Sequence, residues 1–389
     1  MRYHHQQSKH IKAIHSLGLN ATLIGLAYAA VETVWSIYIY SFFPNESQMG
    51  FVSAIFSLAT LASLLFAFPL FKKFSPHKLL FASVGINSII LALFAHIHSP
   101  IMLIIFGTLN AILIGVRVQA FGVLLRHNST NKKIFTDEKY VYLLMNIGWI
   151  IGPLVAGYIA NTIATRAVMV FASIALLLSV YSITYNQKTF RKEKQELKEH
   201  ISIILNIKDF FRNKKRILAY CLSGGLEVWW AIPYIFLPVI MIELYGFNIK
   251  TVGMFLFAIE IPLIITEYIM QKKDIKNIRK IMGIGFFIAS AMALIAGLTG
   301  NIYIILGAFV TGSFGIGFVE PNVESFFFSI TKEKESERFY GSFMTAKQVG
   351  SFVGKAIVAT ILLTLPIQVG ILSVGLVVFI LGIWSIKGK

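Results

Sequence analysis

The amino-acid sequence predicts an all-α polytopic membrane protein, and three observations lead to that fold class. Of the 389 residues, 56% are hydrophobic and only 14% are charged, with a mean hydropathy of +0.73. Soluble proteins carry charge on about a quarter of their residues. Charge is nearly absent from twelve long apolar stretches, and most Lys and Arg residues fall in every second connecting segment. Lipid is therefore the solvent of most of this chain.

The twelve apolar stretches are long enough to cross a bilayer as helices, which takes about 20 residues each. The first half of the chain contains six of them: Leu17–Phe43, Gln48–Phe71, Leu79–His96, Ile101–Leu125, Tyr140–Ile163 and Ala167–Tyr185. The second half contains the other six: Ile217–Glu243, Ile249–Met270, Ile281–Leu298, Tyr303–Ile330, Phe339–Leu363 and Ile367–Ile386. The first stretch is too long for a signal peptide, so we expect it to stay as a membrane helix.

The basic residues predict the orientation of these spans. The amino terminus, the even-numbered loops and the carboxyl terminus hold 30 of the 35 Lys and Arg residues, whereas the odd-numbered loops hold only Arg166 and Lys250. By the positive-inside rule both termini are cytoplasmic, as an even number of spans requires. The net charge of +17 then reflects topology and contact with anionic lipid. We expect a monomer in the cell inner (plasma) membrane, with the lipid bilayer but no nucleic acid as a partner.

A charged segment divides the chain once. Residues Lys188–Arg216 include ten Lys or Arg and form much the longest loop. This predicts an amino-terminal six-helix bundle over 1–187, a cytoplasmic linker over 188–216 and a carboxyl-terminal six-helix bundle over 217–389. Apolar residues of the linker, among them Leu205 and Phe211, recur at helical spacing, which indicates an amphipathic helix on the bilayer surface. A solvated linker helix is the alternative.

The two halves also resemble each other in sequence. An offset near 200 residues aligns Lys72-Lys73 with Lys272-Lys273, and Gly148-x3-Gly152-Pro153 with Gly350-x3-Gly354-Lys355. An offset of 195 aligns Glu32-x-x-Trp35 with Glu227-x-x-Trp230. Internal symmetry of this kind is typical of transporters that bind their substrate where two halves face each other.

The six-loop-six plan resembles the major facilitator superfamily along essentially the whole chain. Its most specific match, Gly148 to Gly157, is similar to the fifth-helix Gly-x3-Gly-Pro signature of proton-driven exporters in that family. Gly148, Gly152 and Gly157 would let helices approach closely, and Pro153 would loosen the backbone where two halves rock. A plain packing motif is the alternative.

Two other signatures of the family are altered here. Arg117, with Gln119 and Gly122 after it, is similar in residue types to a fourth-helix Arg-x-x-Gln-Gly motif, but the spacing differs. We carry over Arg117 alone. The loop after the second span has Lys72 where the family has an acidic residue, so a latch that depends on that acid is not expected.

Ionisable residues inside membrane spans are costly and usually functional. Here they are absent from the interiors of spans three, six, nine and twelve. In the family that the chain resembles, helices one, four, seven and ten line a central cavity, and the distribution of charge agrees. The candidate proton-coupling and cavity charges are Glu32, Arg117, Glu227, Glu260, Glu320, Glu324, Lys347 and Lys355.

Aromatic residues accompany two of these carboxylates. Trp35 and Trp230 follow Glu32 and Glu227 by three residues, and so share their helical faces. Carboxylates beside aromatic rings hold organic cations. The candidate substrate-binding residues are therefore Tyr28, Trp35, Trp230 and Tyr234, with helix packing as the alternative.

The tenth span carries two acids one helical turn apart, Glu320 and Glu324, at depths where Lys347 and Lys355 of the eleventh could neutralise them. Desolvation and neighbouring charge can let such carboxylates exchange protons near neutral pH. A static ion-pair lock between Glu324 and Lys347 is the competing account.

Enzyme motifs are missing from the sequence, which has no His-Glu-x-x-His, phosphate loop or Gly-x-Ser-x-Gly. The single cysteine, Cys221, excludes a disulfide framework. We expect no cofactor, no metal and no enzymatic activity. The sequence predicts a secondary active transporter that works by alternating access and exports hydrophobic or cationic small molecules in exchange for protons. Proton-coupled import of a nutrient is the second hypothesis, and a membrane enzyme or lipid-handling protein is the third.

Overall fold

The computed structural model describes residues 2–129, 134–185, 203–271 and 277–387, and every regular element in these ranges is helical. The first half contains α1 (Arg2–Tyr40), α2 (Glu46–Phe66), α3 (Phe68–Lys73), α4 (Pro76–Phe94), α5 (Pro100–Asn128), α6 (Ile134–Thr162) and α7 (Thr165–Tyr185). The second half contains α8 (Ile203–Phe210), α9 (Lys214–Ala231), a π-helical turn (Ile232–Phe236), α10 (Leu237–Glu243), α11 (Ile249–Gln271), α12 (Ile278–Gly297), α13 (Ile302–Ser329), α14 (Glu333–Ile361) and α15 (Ile367–Lys387). The all-α fold class is confirmed.

Eleven helical stretches of the described residues are long and apolar enough to cross a membrane, and each coincides with a predicted span. The remaining predicted span, Phe339–Leu363, falls on α14. Its polar residues Lys347, Gln348 and Lys355 make it less apolar than the other helices. Of the twelve predicted spans, α14 is therefore the least apolar, and it carries two lysines in its interior.

Local sequence sets several helix ends. Asn213 and Asn301 precede α9 and α13, and their side chains accept hydrogen bonds from backbone N–H groups of the first turn. Pro76 and Pro100 begin α4 and α5, where the missing N–H costs nothing. Short connections join neighbouring helices, such as residues 95–99 between α4 and α5.

The chain divides into two compact units, described separately below. The first unit comprises residues 1–38 and 62–200, and the second comprises 39–61 and 201–389. Most of α2 therefore belongs with the second unit, which the sequence did not indicate. The predicted bundle limits at 187 and 217 stay a prediction, and residues 186–202 of the expected linker lie outside the described residues.

In the first unit, the glycines of α6 pack directly on the backbone of α1. A Cβ atom added at Gly148 would lie 2.4 Å from the Thr22 carbonyl oxygen, and one at Gly152 would lie 2.5 Å from the Ala29 Cβ. Contacts this short are not tolerated by real Cβ atoms, so only glycine permits this approach. Pro153, buried inside α6, stands beside them.

The second unit repeats this packing between α14 and α9. A Cβ at Gly350 would lie 2.1 Å from the Gly224 carbonyl oxygen, and one at Gly354 would lie 2.8 Å from the Val228 Cα. Gly350 stands 202 residues after Gly148, and Gly224 stands 202 residues after its partner Thr22. The glycine motif and the surface it packs against are thus repeated in one register.

This register corrects one sequence alignment. The offset of 195 that paired Glu32 with Glu227 is wrong, because helix packing follows an offset of 202. At that offset Glu32 corresponds to Tyr234, and Tyr28 corresponds to Trp230. Glu227 stands seven residues, or about two helical turns, before the equivalent of Glu32. The two carboxylates are therefore at different levels of their respective helices.

The described part of the linker packs on the second unit. Phe210 at the end of α8 is fully buried and contacts the rings of Phe339 and other aromatic residues. The guanidinium of Arg338, on α14, donates to Asp209 of α8 and forms a salt bridge with it. Phe211, which the predicted stripe included, remains 39% exposed. At this end of the linker, Phe210 rather than Phe211 provides the buried contact.

Candidate functional site

Glu260 of α11 is a buried carboxylate in the interior of a membrane span. It is 8% exposed and stands two residues before Pro262, which lies inside the helix. Its Oε1 atom accepts a hydrogen bond of 2.5 Å from the hydroxyl of Tyr234. A buried carboxyl group is costly without a hydrogen-bond partner, and here a tyrosine on the preceding span provides one.

Tyr234 lies within a π-helical turn, Ile232–Phe236. Pro233 lacks a backbone N–H, which weakens the regular α-helical pattern. The Leu237 N–H instead bonds the carbonyl of Ile232, five residues earlier. Such single π-turns shift the side chains that follow and occur often at functional sites. The sequence shows a proline within a span, but it does not show that a π-helical turn forms there.

A second carboxylate, Glu320 of α13, interacts electrostatically with Glu260. Its Oε1 lies 3.7 Å from the Lys347 Nζ, and both side chains are partly exposed. Glu324, one turn further along, accepts a hydrogen bond of 2.5 Å from the Tyr340 hydroxyl. The ion pair that the sequence suggested between Glu324 and Lys347 is therefore corrected to a pair between Glu320 and Lys347.

Lys355 of α14 makes a different contact from the one expected. Its Nζ donates a hydrogen bond of 2.8 Å to the Ser57 hydroxyl, on the part of α2 that belongs to the second unit. The Ser57 hydroxyl is also 3.1 Å from that of Ser351. Lys355 thus links α14 to α2 through a serine hydroxyl. The sequence analysis did not include Ser57 or Ser351 among its candidate residues.

Glu227 lies half-buried on α9, on the span that leads into the π-helical turn. Three residues later, the half-buried Trp230 ring lies 5.3 Å from the Tyr234 ring, centroid to centroid, and 4.8 Å from that of Trp229. Trp230 and Tyr234 are therefore neighbours, as the predicted stripe required.

The first unit brings together Tyr28, Arg117 and Asn87. The Arg117 Cζ lies 4.0 Å from the centroid of the Tyr28 ring, a cation–π contact. The amide nitrogen of Asn87, from the buried face of α4, donates to the Tyr28 hydroxyl at 2.5 Å. Asn87 was not among the candidate site residues predicted from sequence. An amide side chain in the middle of an apolar span could have indicated it.

The other two predicted residues of α1 have contrasting environments. Trp35 is buried against Tyr38 and Phe94, with ring centroids 5.9 Å and 5.3 Å away. This is the packing alternative, and it accounts for the position of Trp35. Glu32 is half-buried one turn after Tyr28, and the two side chains interact electrostatically.

The chain is similar in sequence to known membrane transporters. Residues 17–355 match the model of the Major Facilitator Superfamily. The chain is 27% identical over 192 residues to the multidrug resistance protein MdtG of Yersinia enterocolitica, an alignment covering 48% of this chain and 46% of that protein. It is 24% identical over 175 residues to a multi-drug resistance efflux pump PmrA homolog of Lactococcus lactis, covering 44% and 43%. The chain thus matches less than half the length of these curated relatives.

Solved structures resemble the chain over nearly its full length. The nucleoside transporter NupG aligns with a TM-score of 0.74 at 14% identity, covering 97% of this chain and 100% of that one. A POT family transporter in complex with a peptide conjugate aligns with a TM-score of 0.75 at 12% identity, covering 97% and 96%. At such low identity these likenesses show the fold alone.

Proposed function

The chain belongs to the major facilitator superfamily, and from that premise we propose that it is a proton-coupled exporter of hydrophobic or cationic small molecules that works by alternating access. Membership makes it a multi-pass membrane transporter rather than an enzyme. The coupling ion, the direction and the substrate class are our proposal. We also propose that it lies in the inner membrane as a monomer with both termini cytoplasmic. Its two six-helix bundles would be joined by the linker over 188–216.

The observation that carries the proposal is the hydrogen-bonded carboxylate Glu260 with its two neighbours. Its Oε1 accepts a hydrogen bond from the Tyr234 hydroxyl, and a proton on Glu260 would remove its charge and add an O–H donor beside that hydroxyl. Glu320, which interacts electrostatically with Glu260, lies beside Lys347. Protonation of Glu260 or Glu320 would therefore alter electrostatic contacts among four spans, those of Tyr234, Glu260, Glu320 and Lys347. A proton site must have this property if it is to drive a conformational change.

Two features favour a hydrophobic or cationic substrate. Among the candidate membrane charges, carboxylates outnumber bases. The half-buried Trp230 ring, next to Tyr234, provides aromatic surface near one of these acids, and aromatic surface with carboxylates attracts organic cations. The names of the matched relatives, which refer to multidrug resistance and efflux, agree with export.

Proteoliposomes with an imposed pH gradient test the proposal, with ethidium as the hydrophobic cation. Wild-type protein should move the dye opposite to the proton gradient when that gradient is set in either direction. Glu260→Gln should abolish gradient-driven movement, because the amide cannot exchange a proton, but should keep exchange of dye at equal concentrations. Glu243→Gln, an exposed acid at the end of α10, is the matched control and should behave as wild type.

Uphill transport by Glu260→Gln at the wild-type rate would remove Glu260 from the coupling mechanism. Movement of solute in the same direction as protons would favour the importer hypothesis.

A further inference from the structure

Arg117, in the first unit, has a buried donor atom that lacks a hydrogen-bond partner. This atom is Nε, and the residue as a whole is half-buried on α5. Its contact is with the face of the Tyr28 ring. Arginine in a membrane interior normally pairs with an acid or with backbone carbonyls, so this arrangement calls for another partner.

We infer that Arg117 binds an oxyanion of the transported molecule, so that the substrate carries a carboxylate, sulfonate or phosphate group in addition to its hydrophobic part. This inference rests on the proposed transport function and specifies its substrate class. A guanidinium has five N–H donors in a planar fork that matches the oxygens of such groups. With its Nε unpartnered in the first unit, Arg117 has donors left for such a ligand.

The neighbouring residues hold this cation in place before a ligand arrives. The Tyr28 ring supports one face of the guanidinium, and the Asn87 amide fixes the hydroxyl of that ring at 2.5 Å. Because ring and amide are both buried, little side-chain entropy remains to be lost when an anion binds. A lysine would retain the charge but lose the stacked, planar geometry.

Glu32 is the acid that could compete for this cation. It is half-buried one turn beyond Tyr28, with whose side chain it interacts electrostatically. If Glu32 were the real partner of Arg117, then neutralising either residue would have the same consequence. If Arg117 instead binds an external oxyanion, removal of Glu32 would leave binding intact or strengthen it, because a repelling charge disappears.

Equilibrium binding of a matched dye pair tests the inference without any gradient. The probes are a rhodamine that carries a free carboxylate and its methyl ester, which share the same hydrophobic cation. Purified wild-type protein in detergent should bind the acid more tightly than the ester, by about tenfold to a hundredfold, the range of a charge-assisted hydrogen bond. Arg117→Gln should abolish this preference by weakening only the acid. Glu32→Gln should keep or increase it.

The controls separate binding from folding. Arg166→Gln changes an arginine at the start of α7 that contacts His98 and the Ile97 carbonyl, and it should leave both affinities unchanged. Arg117→Lys serves if the glutamine variant does not fold, and should reduce the preference. Equal binding of acid and ester by wild type, absence of binding of the acid, or an equal loss of both dyes in Arg117→Gln would overturn the inference. Since no proton gradient is used, failure here leaves the coupling test with Glu260→Gln intact.

Discussion

The close backbone contact between α9 and α14 predicts that adding a methyl group at Gly350 will destabilise the protein. In Gly350→Ala, the new Cβ would lie 2.1 Å from the carbonyl oxygen of Gly224 and 2.6 Å from its carbonyl carbon. These are main-chain atoms, so no side chain can rotate away, and the two helices must separate by roughly 1 Å to restore an ordinary contact. Overpacking of this kind costs about 1–3 kcal/mol.

The assay is thermal unfolding of the purified protein in detergent, followed by loss of the monodisperse species. For a unit of this size, each kcal/mol shifts the midpoint by about 2–4 °C, so Gly350→Ala should lower it by roughly 2–12 °C. Transport should fall as well, because α14 carries Lys347, which lies 3.7 Å from Glu320.

A matched substitution in the same unit should have the opposite effect. Gly307, on α13, has no atom within 4 Å of the position of an added Cβ. Gly307→Ala should therefore stabilise the protein by about 0.4–1 kcal/mol, because alanine loses less conformational freedom on folding. If Gly350→Ala melted as high as Gly307→Ala, the close approach of α14 to α9 would be refuted.

Four further substitutions test other parts of the molecule. Glu227→Gln should abolish gradient-driven dye transport while the protein remains folded and inserted; transport at the wild-type rate would show that this acid is not needed. Lys355→Ala removes the 2.8 Å hydrogen bond to Ser57 and should change the pH profile of transport, whereas an unchanged profile would indicate a lysine that only packs. Phe210→Ala should destabilise the protein by about 3–5 kcal/mol, since this ring is fully buried, and Phe211→Ala should cost clearly less; equal losses would contradict the docking of α8.

Much of the fold could be predicted because the bilayer imposes simple rules on sequence. Length, hydropathy and the alternation of basic loops predicted the spans, and the helices occur where those stretches lie. The repeat was detectable through Gly148 and Gly350, since close helix approach demands glycine at those points and leaves few alternatives. The functional hypothesis followed from the few charges left inside the spans.

The partners of those charges were less predictable. Tyr234 was predicted to offer aromatic surface to a substrate, but its hydroxyl, from within a π-helical turn, bonds Glu260. Lys347 pairs with Glu320 rather than Glu324. A spacing of one helical turn places both acids on one face, but which of them meets the lysine depends on the rotation of α14 against α13.

The sequence alone determined that this chain is helical, that it spans a membrane, and that its ionisable residues are concentrated in particular helices, because each of these properties depends on local composition and on the cost of exposing polar groups to lipid. Only the tertiary structure decided which side chains meet. The Asn87 amide on Tyr28 and the unpartnered Nε of Arg117 depend on how α1, α4 and α5 are rotated about their axes. That rotation is set by the sum of many small packing contacts, which no single segment of the sequence contains.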